Sequence, residues 1–431
     1  MGTQFCGGWR RVRVVHVLLV VAALLTLGGC ASSKPVVYDI RPGFTVDDPQ
    51  FALVMGNLPG PPLVPGNTCA TLLNGDQIFP AMLSAIHSAQ KTITLETYIY
   101  WSGTIGREFA DALAERARAG VKVHVMIDWF GSARIDRAYL TEMKNAGAEV
   151  CEYHPFHFFD PSTWREVDNR THRKLMIVDG KIGFTGGVGI ADEWGGNAES
   201  PKHWRDNHYR VQGPIVAQLQ AAFLDNWVKS TGEVLVGEDY FPRLDSVGHL
   251  WGQIFKSSSQ GGSESMQLMM LLSIASAGKN IRMESAYFLP GPVTRHYLVA
   301  ARRRGVSVQI IVPGAKIDEK VVRAASHHNW GELLKAGIEI YEYQPTMFHC
   351  KQLIVDDIWV SIGSSNFDNR SFRINDEANI NILDPNFAAG QISVFDNDLK
   401  HSRRITYQQW KHRTFGERFS DFMATVLEWE L

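Results

Sequence analysis

Two stretches of the sequence carry the same spacing of histidine, lysine and aspartate, written H-x-K-x4-D. These residues are His172, Lys174 and Asp179 in the first stretch and His349, Lys351 and Asp356 in the second. Each aspartate is followed at the same spacing by a glycine, Gly186 or Gly363. A single copy could arise by chance, but two copies in matching surroundings predict a shared chemical role. We therefore take all six residues as candidate catalytic residues.

The chemistry follows from the side chains and their spacing. Residues two positions apart on a strand project from the same face, so each histidine shares a pocket with its lysine. Imidazole, with an ordinary pKa of about 6.5, can attack phosphorus or transfer a proton near neutral pH. Ammonium groups can balance the charge on phosphate oxygens. We predict phosphoryl transfer at one site, with one histidine as nucleophile, the other as acid, and neither metal nor cofactor.

Polar residues beyond each motif are candidates for binding phosphate or orienting the histidines. Small residues follow each motif, and we assign phosphate binding to Ser364 and Asn366. A catalytic imidazole also needs a partner that fixes its tautomer. We predict Glu377 as the partner of His349. For His172 we favour Asp206 over two other carboxylates, Asp192 and Glu193.

An internal repeat indicates the elements that position these residues. Residues 88–96 read S-A-Q-K-T-I-T-L-E and residues 276–284 read S-A-G-K-N-I-R-M-E, each typical of a helix end leading into a strand. Further helix-to-strand transitions recur in 117–123 and 302–308. This alternation predicts an α/β fold of two similar lobes, each a mixed β-sheet flanked by helices. A pseudo-twofold axis would bring both motifs to one shared active site.

Two apolar segments do not fit the repeat. The first copy has extra residues before His172, including Phe156, Phe158, Phe159 and Trp164. They predict either a loop facing substrate or membrane, or a surface loop folded onto its own aromatic rings. Near the C-terminus, residues 415–427 carry apolar side chains at helical spacing. This helix is expected to dock on the core or to lie on a membrane surface.

The N-terminus has the features of an export signal. Three arginines precede an apolar run over residues 14–27, which ends in Gly28, Gly29 and Cys30. We predict a signal peptide over 1–30 and a linker over 31–67. The ending resembles a bacterial lipoprotein cleavage box, which implies lipidation of Cys30 and membrane attachment outside the cytoplasm, on the periplasmic face. A plain signal peptide or an uncleaved anchor is the alternative.

The paired motifs resemble those of the phospholipase D superfamily, and the chain is most similar to bacterial cardiolipin synthases. The resemblance covers roughly residues 68–431 and includes L-E-T-Y-I-Y at 95–100, W-R-D at 204–206 and F-D-N-R-S at 367–371. It implies lobes over 68–245 and 246–431, a phosphohistidine intermediate on His172, and His349 as acid and then base. It also implies phospholipid substrates, phosphatidylglycerol with or without phosphatidylethanolamine. One departure is Gly189, where these synthases usually have asparagine.

Other functions use the same residues. Water as the acceptor gives a phospholipase D hydrolase, and a nucleotide phosphodiester gives a nuclease. A formal net charge of -2 and the export signal disfavour nucleic acid as a partner. A noncatalytic lipoprotein that binds anionic lipid is a further alternative, because Gly189 removes one phosphate donor.

Overall fold

Fifteen strands form one continuous mixed sheet in the described part of the chain. The computed structural model describes residues 38–160, 163–258 and 265–425. The predicted signal peptide and Cys30 lie outside these residues. Ile40–Leu431 form one compact unit. No helix within the described ranges combines the length and the apolar character needed to span a membrane.

The first half of the sheet contains seven strands and is flanked by helices. The strands are β1 (Val64–Leu73), β2 (Thr92–Thr97), β3 (Lys122–Asp128), β4 (Glu149–Tyr153), β5 (Leu175–Val178), β6 (Ile182–Gly186) and β7 (Asn207–Gln212). The helices are α1 (Pro49–Asn57), α2 (Asn74–Ser88), α3 (Thr104–Arg118), α4 (Arg137–Asn145) and α5 (Ile215–Thr231). Two short 3₁₀ turns lie at Thr163–Arg165 and Asp192–Trp194.

The second half repeats this arrangement and adds C-terminal elements. Its strands are β8 (Leu250–Ser257), β9 (Asn280–Ser285), β10 (Ser307–Pro313), β11 (Glu339–Tyr343), β12 (Lys351–Val355), β13 (Trp359–Gly363), β14 (Glu377–Leu383) and β15 (Ser402–Ile405). Its helices are α6 (Ser265–Ala275), α7 (Pro292–Arg303), α8 (Lys320–Lys335), α9 (Asn369–Arg373), α10 (Pro385–Lys400), α11 (Tyr407–Lys411) and α12 (Phe415–Thr425).

The strand order shows the duplication directly. From one edge it runs β15-β11-β10-β9-β12-β13-β14-β8 and continues β1-β7-β6-β5-β2-β3-β4 to the other. In each half three strands are parallel, β2-β3-β4 and β9-β10-β11, and the motif strand joins them antiparallel. This confirms the predicted α/β fold of two similar lobes with mixed sheets. The lobe boundary at 245/246 stays a prediction.

The local sequence explains why these strands form. All six residues of β2 are buried, as expected of a central strand covered on both faces. After α3 the chain turns through Gly120, whose φ of 89° is in the left-handed region that glycine tolerates best. Gly305, with φ 96°, occupies the matching position after α7. The repeated helix end, glycine and strand were therefore read correctly from the sequence.

Helix α1 differs from the linker predicted for residues 31–67. Asp48 caps the helix by accepting a hydrogen bond from the Gln50 amide at 2.8 Å. Phe51 and Met55 are buried, and the Phe51 ring packs edge-on against Trp359 at 4.9 Å between centroids. Two apolar side chains on one face are enough to dock a short helix onto an existing core. The predicted linker also ends inside β1, which begins at Val64.

Helix α12 packs against α8 with a different face from the one its apolar spacing suggests. Asp421 and Ala424 are buried, and Arg413 forms an ion pair with Asp421. The large apolar side chains on the helix are exposed instead: Phe415, Phe419, Phe422 and Met423. Because the helix docks through Ala424 and the Arg413–Asp421 ion pair, its aromatic face stays exposed.

Candidate active site

Both motif histidines lie at the junction between the two halves of the sheet. The His172 amide donates to the Asp376 carbonyl at 2.9 Å, just before Glu377. The His349 amide donates to the Arg205 carbonyl at 2.8 Å, just before Asp206. Each contact is part of an isolated parallel bridge between the halves, Thr171 with Asp376 and Arg205 with Phe348. Each motif is therefore aligned by the chain segment that leads into the other half's carboxylate.

This alignment crosses the histidine–carboxylate pairs. His172 Nδ1 is 3.0 Å from both carboxylate oxygens of Glu377. His349 Nδ1 is 2.7 Å from Asp206 Oδ2. The prediction that Glu377 serves His349 and Asp206 serves His172 was therefore wrong in its pairing, although both carboxylates belong to the site. The prediction paired residues of the same repeat, whereas the parallel bridges pair residues of opposite repeats.

Each carboxylate is held by a second polar group. The Ser364 hydroxyl donates to Glu377 Oε2, so the structure places Ser364 as an orienting residue. The Trp194 indole N–H donates to Asp206 Oδ2 at 2.9 Å. A partner that fixes the carboxylate also fixes the ring and the tautomer of the histidine. Sequence reasoning missed Trp194, because a lone tryptophan beside two acidic residues gives no signal of this contact.

The two motif lysines lie beside their histidines, as the spacing predicted. Lys174 Nζ donates to the His172 carbonyl at 2.6 Å and lies 5.5 Å from the centre of the Tyr98 ring. Lys351 Nζ donates to the His349 carbonyl at 2.7 Å and is 3.1 and 3.2 Å from the two ring nitrogens. The side chains of both motif histidines and both motif lysines are buried. The fold thus brings both histidines and both lysines to one site.

Burial controls the protonation of these groups. It lowers the pKa of His172 to about 4, although the Glu377 carboxylate acts in the opposite direction. It also lowers the pKa of His349, with Lys351 adding to the shift and Asp206 opposing it. His172 is therefore neutral near pH 7. Because Nδ1 faces Glu377, the lone pair available for attack is on Nε2.

Burial also shifts the pKa values of the two motif lysines. It lowers the pKa of Lys174 to about 7, with Glu377 opposing the shift and Lys351 adding to it. The pKa of Lys351 is also lowered by burial. Burial raises the pKa of Glu377, but His172, Lys174 and the Ser364 hydroxyl together outweigh burial and the net pKa is lowered, so this carboxylate stays ionised. A bound phosphate diester would supply the anion that keeps both ammonium groups charged.

Asp179 and Asp356 have a structural position instead of the catalytic one predicted. Asp179 accepts hydrogen bonds from the amides of residues 90–92 at 2.7–3.2 Å. Asp356 accepts from the amides of residues 278–280 at 2.7–2.9 Å. Both lie at the far end of the motif strand, roughly 16 Å along the chain from the lysine at about 3.3 Å per residue. They fasten the preceding helix end to the hairpin turn.

The two phosphate-loop positions differ between the halves. Asn366 Oδ1 accepts a 3.3 Å hydrogen bond from the Tyr287 amide, and its role as phosphate donor stays a prediction. At Gly189 a Cβ would lie 2.9 Å from the Ile99 Cβ and 3.1 Å from the Trp194 ring. Ile99 and Trp194 therefore leave no room for asparagine at this position. The next asparagine along the chain, Asn197, accepts a hydrogen bond from the Asn74 side chain at 2.8 Å.

The two other candidate carboxylates lie outside the histidine pairs. Asp192 accepts hydrogen bonds from the Thr104 and Ile105 amides at 3.0 and 2.8 Å and so caps α3. Glu193 forms an ion pair with Arg134 at 3.3 Å. Neither carboxylate contacts a motif histidine, and Asp206 contacts His349 and not His172, for which it was predicted.

The aromatic insertion before His172 contains features of both predicted alternatives. Phe156 packs against Trp129 and Trp164, with ring centroids 6.3 and 6.4 Å apart. Phe158 and Phe159 contact each other at 5.2 Å, and their exposed fractions are 66% and 95%. Phe158 also lies 6.0 Å from Trp164, so the loop is folded onto its own rings while Phe158 and Phe159 remain exposed.

Buried arginines join the halves around the site. The Arg173 guanidinium donates to the Ser257 carbonyl at 2.8 Å and to Asp225 at 2.9 Å. The Arg205 guanidinium forms a bidentate pair with Asp398 at 2.9 and 2.7 Å. Each arginine is adjacent in sequence to a site residue and also donates to the backbone carbonyl of a site carboxylate, Arg173 to Glu377 at 3.3 Å and Arg205 to Asp206 at 2.8 Å. Sequence reasoning did not assign them a function.

Comparisons with known proteins agree with this geometry. The family described as "Cardiolipin synthase, PLD-like domain" matches residues 82–227 and 270–399. Cardiolipin synthase 1 of Bacillus anthracis is 35% identical over 85% of this chain and 73% of its own length. Cardiolipin synthase of Geobacillus kaustophilus is 33% identical over 83% of this chain and 71% of its own length.

Solved structures support the fold. Phosphatidylserine synthase of Haemophilus influenzae aligns with a TM-score of 0.67 over 89% of this chain and 99% of its own, at 15% identity. At that identity the likeness concerns the fold alone. The family model matches two segments of the chain, and both relatives are more than 30% identical to it. Together with a site of paired histidines and lysines, these matches establish the family. The chain therefore belongs to the phospholipase D-like family of cardiolipin synthases and is a phosphatidyltransferase of the phospholipase D type.

Proposed function

We propose that this enzyme makes cardiolipin by transferring a phosphatidyl group to a hydroxyl of phosphatidylglycerol. The donor is a second phosphatidylglycerol or phosphatidylethanolamine. The observation that carries the proposal is the pair of crossed histidine–carboxylate contacts, because it gives the two imidazoles separate environments around one site. The family relatives named cardiolipin synthase support the choice of acceptor.

The proposed reaction has two displacements. In the first, His172 Nε2 attacks phosphorus, the bond from phosphorus to the leaving oxygen breaks, and His349 gives that oxygen its proton. Glu377 stabilises the imidazolium that forms on His172. In the second, His349 takes the proton of the incoming hydroxyl, whose oxygen attacks phosphorus as the bond to Nε2 breaks. Lys174, Lys351 and Asn366 balance the charge on the nonbridging oxygens.

Lipid analysis of a cardiolipin-free bacterial host tests the acceptor. Expression of the full chain should restore cardiolipin, and expression of His172→Ala at the same protein level should not. Phosphatidic acid in place of cardiolipin would identify water as the acceptor and replace the proposal with a hydrolase. Unchanged lipids, with the wild-type protein present in the membrane fraction, would contradict both.

We further propose that the chain is a lipoprotein attached to a membrane through Cys30 and facing outside the cytoplasm. The sequence ending in Cys30 supports this, and so does a substrate that stays in the bilayer. The variant Cys30→Ser should lose labelling by a radioactive fatty acid and migrate as a longer precursor. Equal labelling and migration of the two proteins would contradict the proposal.

The exposed tip of the aromatic insertion fits membrane contact near the site. Phe158 and Phe159 expose large apolar surfaces, and the insertion leads directly into the strand segment of His172. Apolar side chains of this kind gain free energy by entering the headgroup and acyl boundary of a bilayer. The variant Phe158→Ser/Phe159→Ser should bind phosphatidylglycerol vesicles more weakly, measured by co-sedimentation. The control is Trp251→Ser, at an exposed aromatic residue on β8, which should bind the vesicles as the wild type does.

A further inference from the structure

A buried histidine on β3 has one ring nitrogen without a hydrogen-bond partner among the described residues. His124 is 3% exposed, and its Nε2 is 2.8 Å from the Tyr240 hydroxyl. Its Nδ1 has no such partner. An unpaired polar atom in a protein interior costs free energy and calls for an explanation. If Nε2 carries the proton and donates to Tyr240, then Nδ1 presents a lone pair.

Two glutamates stand opposite this nitrogen. Glu149 is the β4 residue paired directly with His124, and its Oε2 is 3.9 Å from His124 Nδ1. Glu233 follows α5, and its Oε2 accepts a 3.1 Å hydrogen bond from the Trp227 indole. One potential ligand atom from each of the three residues lies within 4.8 Å of the others. Three elements distant in sequence therefore converge here.

The charges are unbalanced without a further group. Lys122, two residues before His124 on β3, is paired with Asp239 at 3.1 Å. A neutral imidazole facing two carboxylates is an arrangement that a divalent cation stabilises.

We propose that His124, Glu149 and Glu233 bind a divalent transition-metal ion of the zinc class. Bond lengths of about 2.0–2.2 Å require donor atoms to be about 3.3 Å apart in a tetrahedral site. The exposed glutamates can close the remaining distance by rotating their side chains. Tyr240 fixes the histidine tautomer and Trp227 fixes one carboxylate, which are the outer contacts typical of metal ligands. Water completes the coordination.

The position of this site indicates a structural role. β3 and β4 are the last two strands at one edge of the sheet, and the motif histidines enter the sheet elsewhere, before β5 and β12. A bound ion would join this edge to the end of α5. It would therefore raise thermal stability without taking part in phosphatidyl transfer.

The test uses the full, untagged chain in detergent, stripped with chelator and then given zinc. Wild type should retain one equivalent of zinc after gel filtration and unfold a few degrees higher than the stripped protein. The variant Glu149→Gln/Glu233→Gln should lose both the equivalent and the shift. It should fold normally, because Glu149 and Glu233 are exposed. Cobalt in place of zinc should give the visible absorption of a tetrahedral site in wild type alone.

A second histidine–glutamate pair provides the control. His203 and Glu199 form an exposed ion pair on the surface, so Glu199→Gln should leave zinc binding unchanged. Zinc retained equally by the Glu149→Gln/Glu233→Gln variant would overturn the proposal. Zinc lost from Glu199→Gln, or no zinc retained by wild type, would overturn it as well. Phosphatidyl transfer should be the same in the stripped and loaded enzymes, which separates this proposal from the proposed catalytic function.

Discussion

The crossed carboxylate pairs make a prediction that separates the two chemical steps. The variant Glu377→Gln keeps the size of the side chain and can still accept from Ser364, but it loses the negative charge next to His172. The variant Asp206→Asn likewise keeps the size of the side chain and loses the negative charge next to His349. If the pairs are crossed as the structure has them, Glu377→Gln slows attack on phosphorus. Asp206→Asn then slows proton transfer to the leaving group and proton transfer from the acceptor hydroxyl.

The size of the effect follows from the geometry. Both oxygens of Glu377 lie 3.0 Å from His172 Nδ1, and the site is buried. A charge-assisted hydrogen bond that stabilises the forming imidazolium in such a site contributes about 3 kcal/mol. Each 1.36 kcal/mol is a factor of ten in rate, so attack should slow by roughly 10²-fold. Removing the charge of Glu377 also lowers the pKa of His172 further, so the ring stays neutral before attack. The lost stabilisation therefore affects the transition state, in which the imidazolium forms.

A donor with a good leaving group isolates the first step. Short-chain phosphatidyl-p-nitrophenol needs little protonation on departure, so release of p-nitrophenol in a stopped-flow burst reports attack by His172. Glu377→Gln should reduce the burst rate by roughly 10²-fold. Asp206→Asn should change it by less than about threefold while slowing steady-state transfer to phosphatidylglycerol. Glu193→Gln, which removes a carboxylate outside the pairs, should change neither.

The opposite ranking would refute the crossed assignment. A burst slowed by Asp206→Asn and not by Glu377→Gln would mean that Asp206 supports the attacking histidine. Equal effects of both variants on the burst would mean that each carboxylate acts through the overall charge of the site and not through its contact with one histidine. Circular dichroism and thermal unfolding of each variant check that the fold is retained.

Further perturbations test the rest of the site. His349→Ala with the same activated donor should accumulate acid-labile phosphatidyl-enzyme on the peptide containing His172, identified by mass spectrometry, and label on neither histidine with activity intact would end the phosphohistidine mechanism. Asp356→Asn should lower the unfolding temperature by a few degrees while changing kcat by less than about threefold, because the carboxylate fastens backbone amides away from the site. Gly189→Asn should lower thermal stability without raising activity, because its Cβ would collide with Ile99. With the activated donor, kcat/KM should not fall between about pH 7 and about pH 5, because a pKa lowered to about 4 keeps His172 neutral there. Protonation of Lys174, whose pKa is lowered to about 7, should raise kcat/KM over the same range, and a fall near pH 6.5 would contradict this environment of His172.

The sequence by itself determined the duplication, the α/β class and the histidine and lysine side chains that the fold brings to one site. These features are local: a helix end, a glycine and alternating strand residues recur at matching places, and two residues separated by one position on a strand must share a face. That is why His172 and Lys174, and equally His349 and Lys351, could be assigned to one pocket without coordinates.

Only the tertiary structure decided which carboxylate serves which histidine and which aspartates stay outside the site. The parallel bridges before His172 and His349 join residues from opposite halves, and no local pattern encodes such long-range pairing. The spacing of Asp179 in its motif suggested catalysis, but a strand carries it away from the site, where three backbone amides bind it. Partner choice here depends on how two lobes meet, which the chain settles only when it folds.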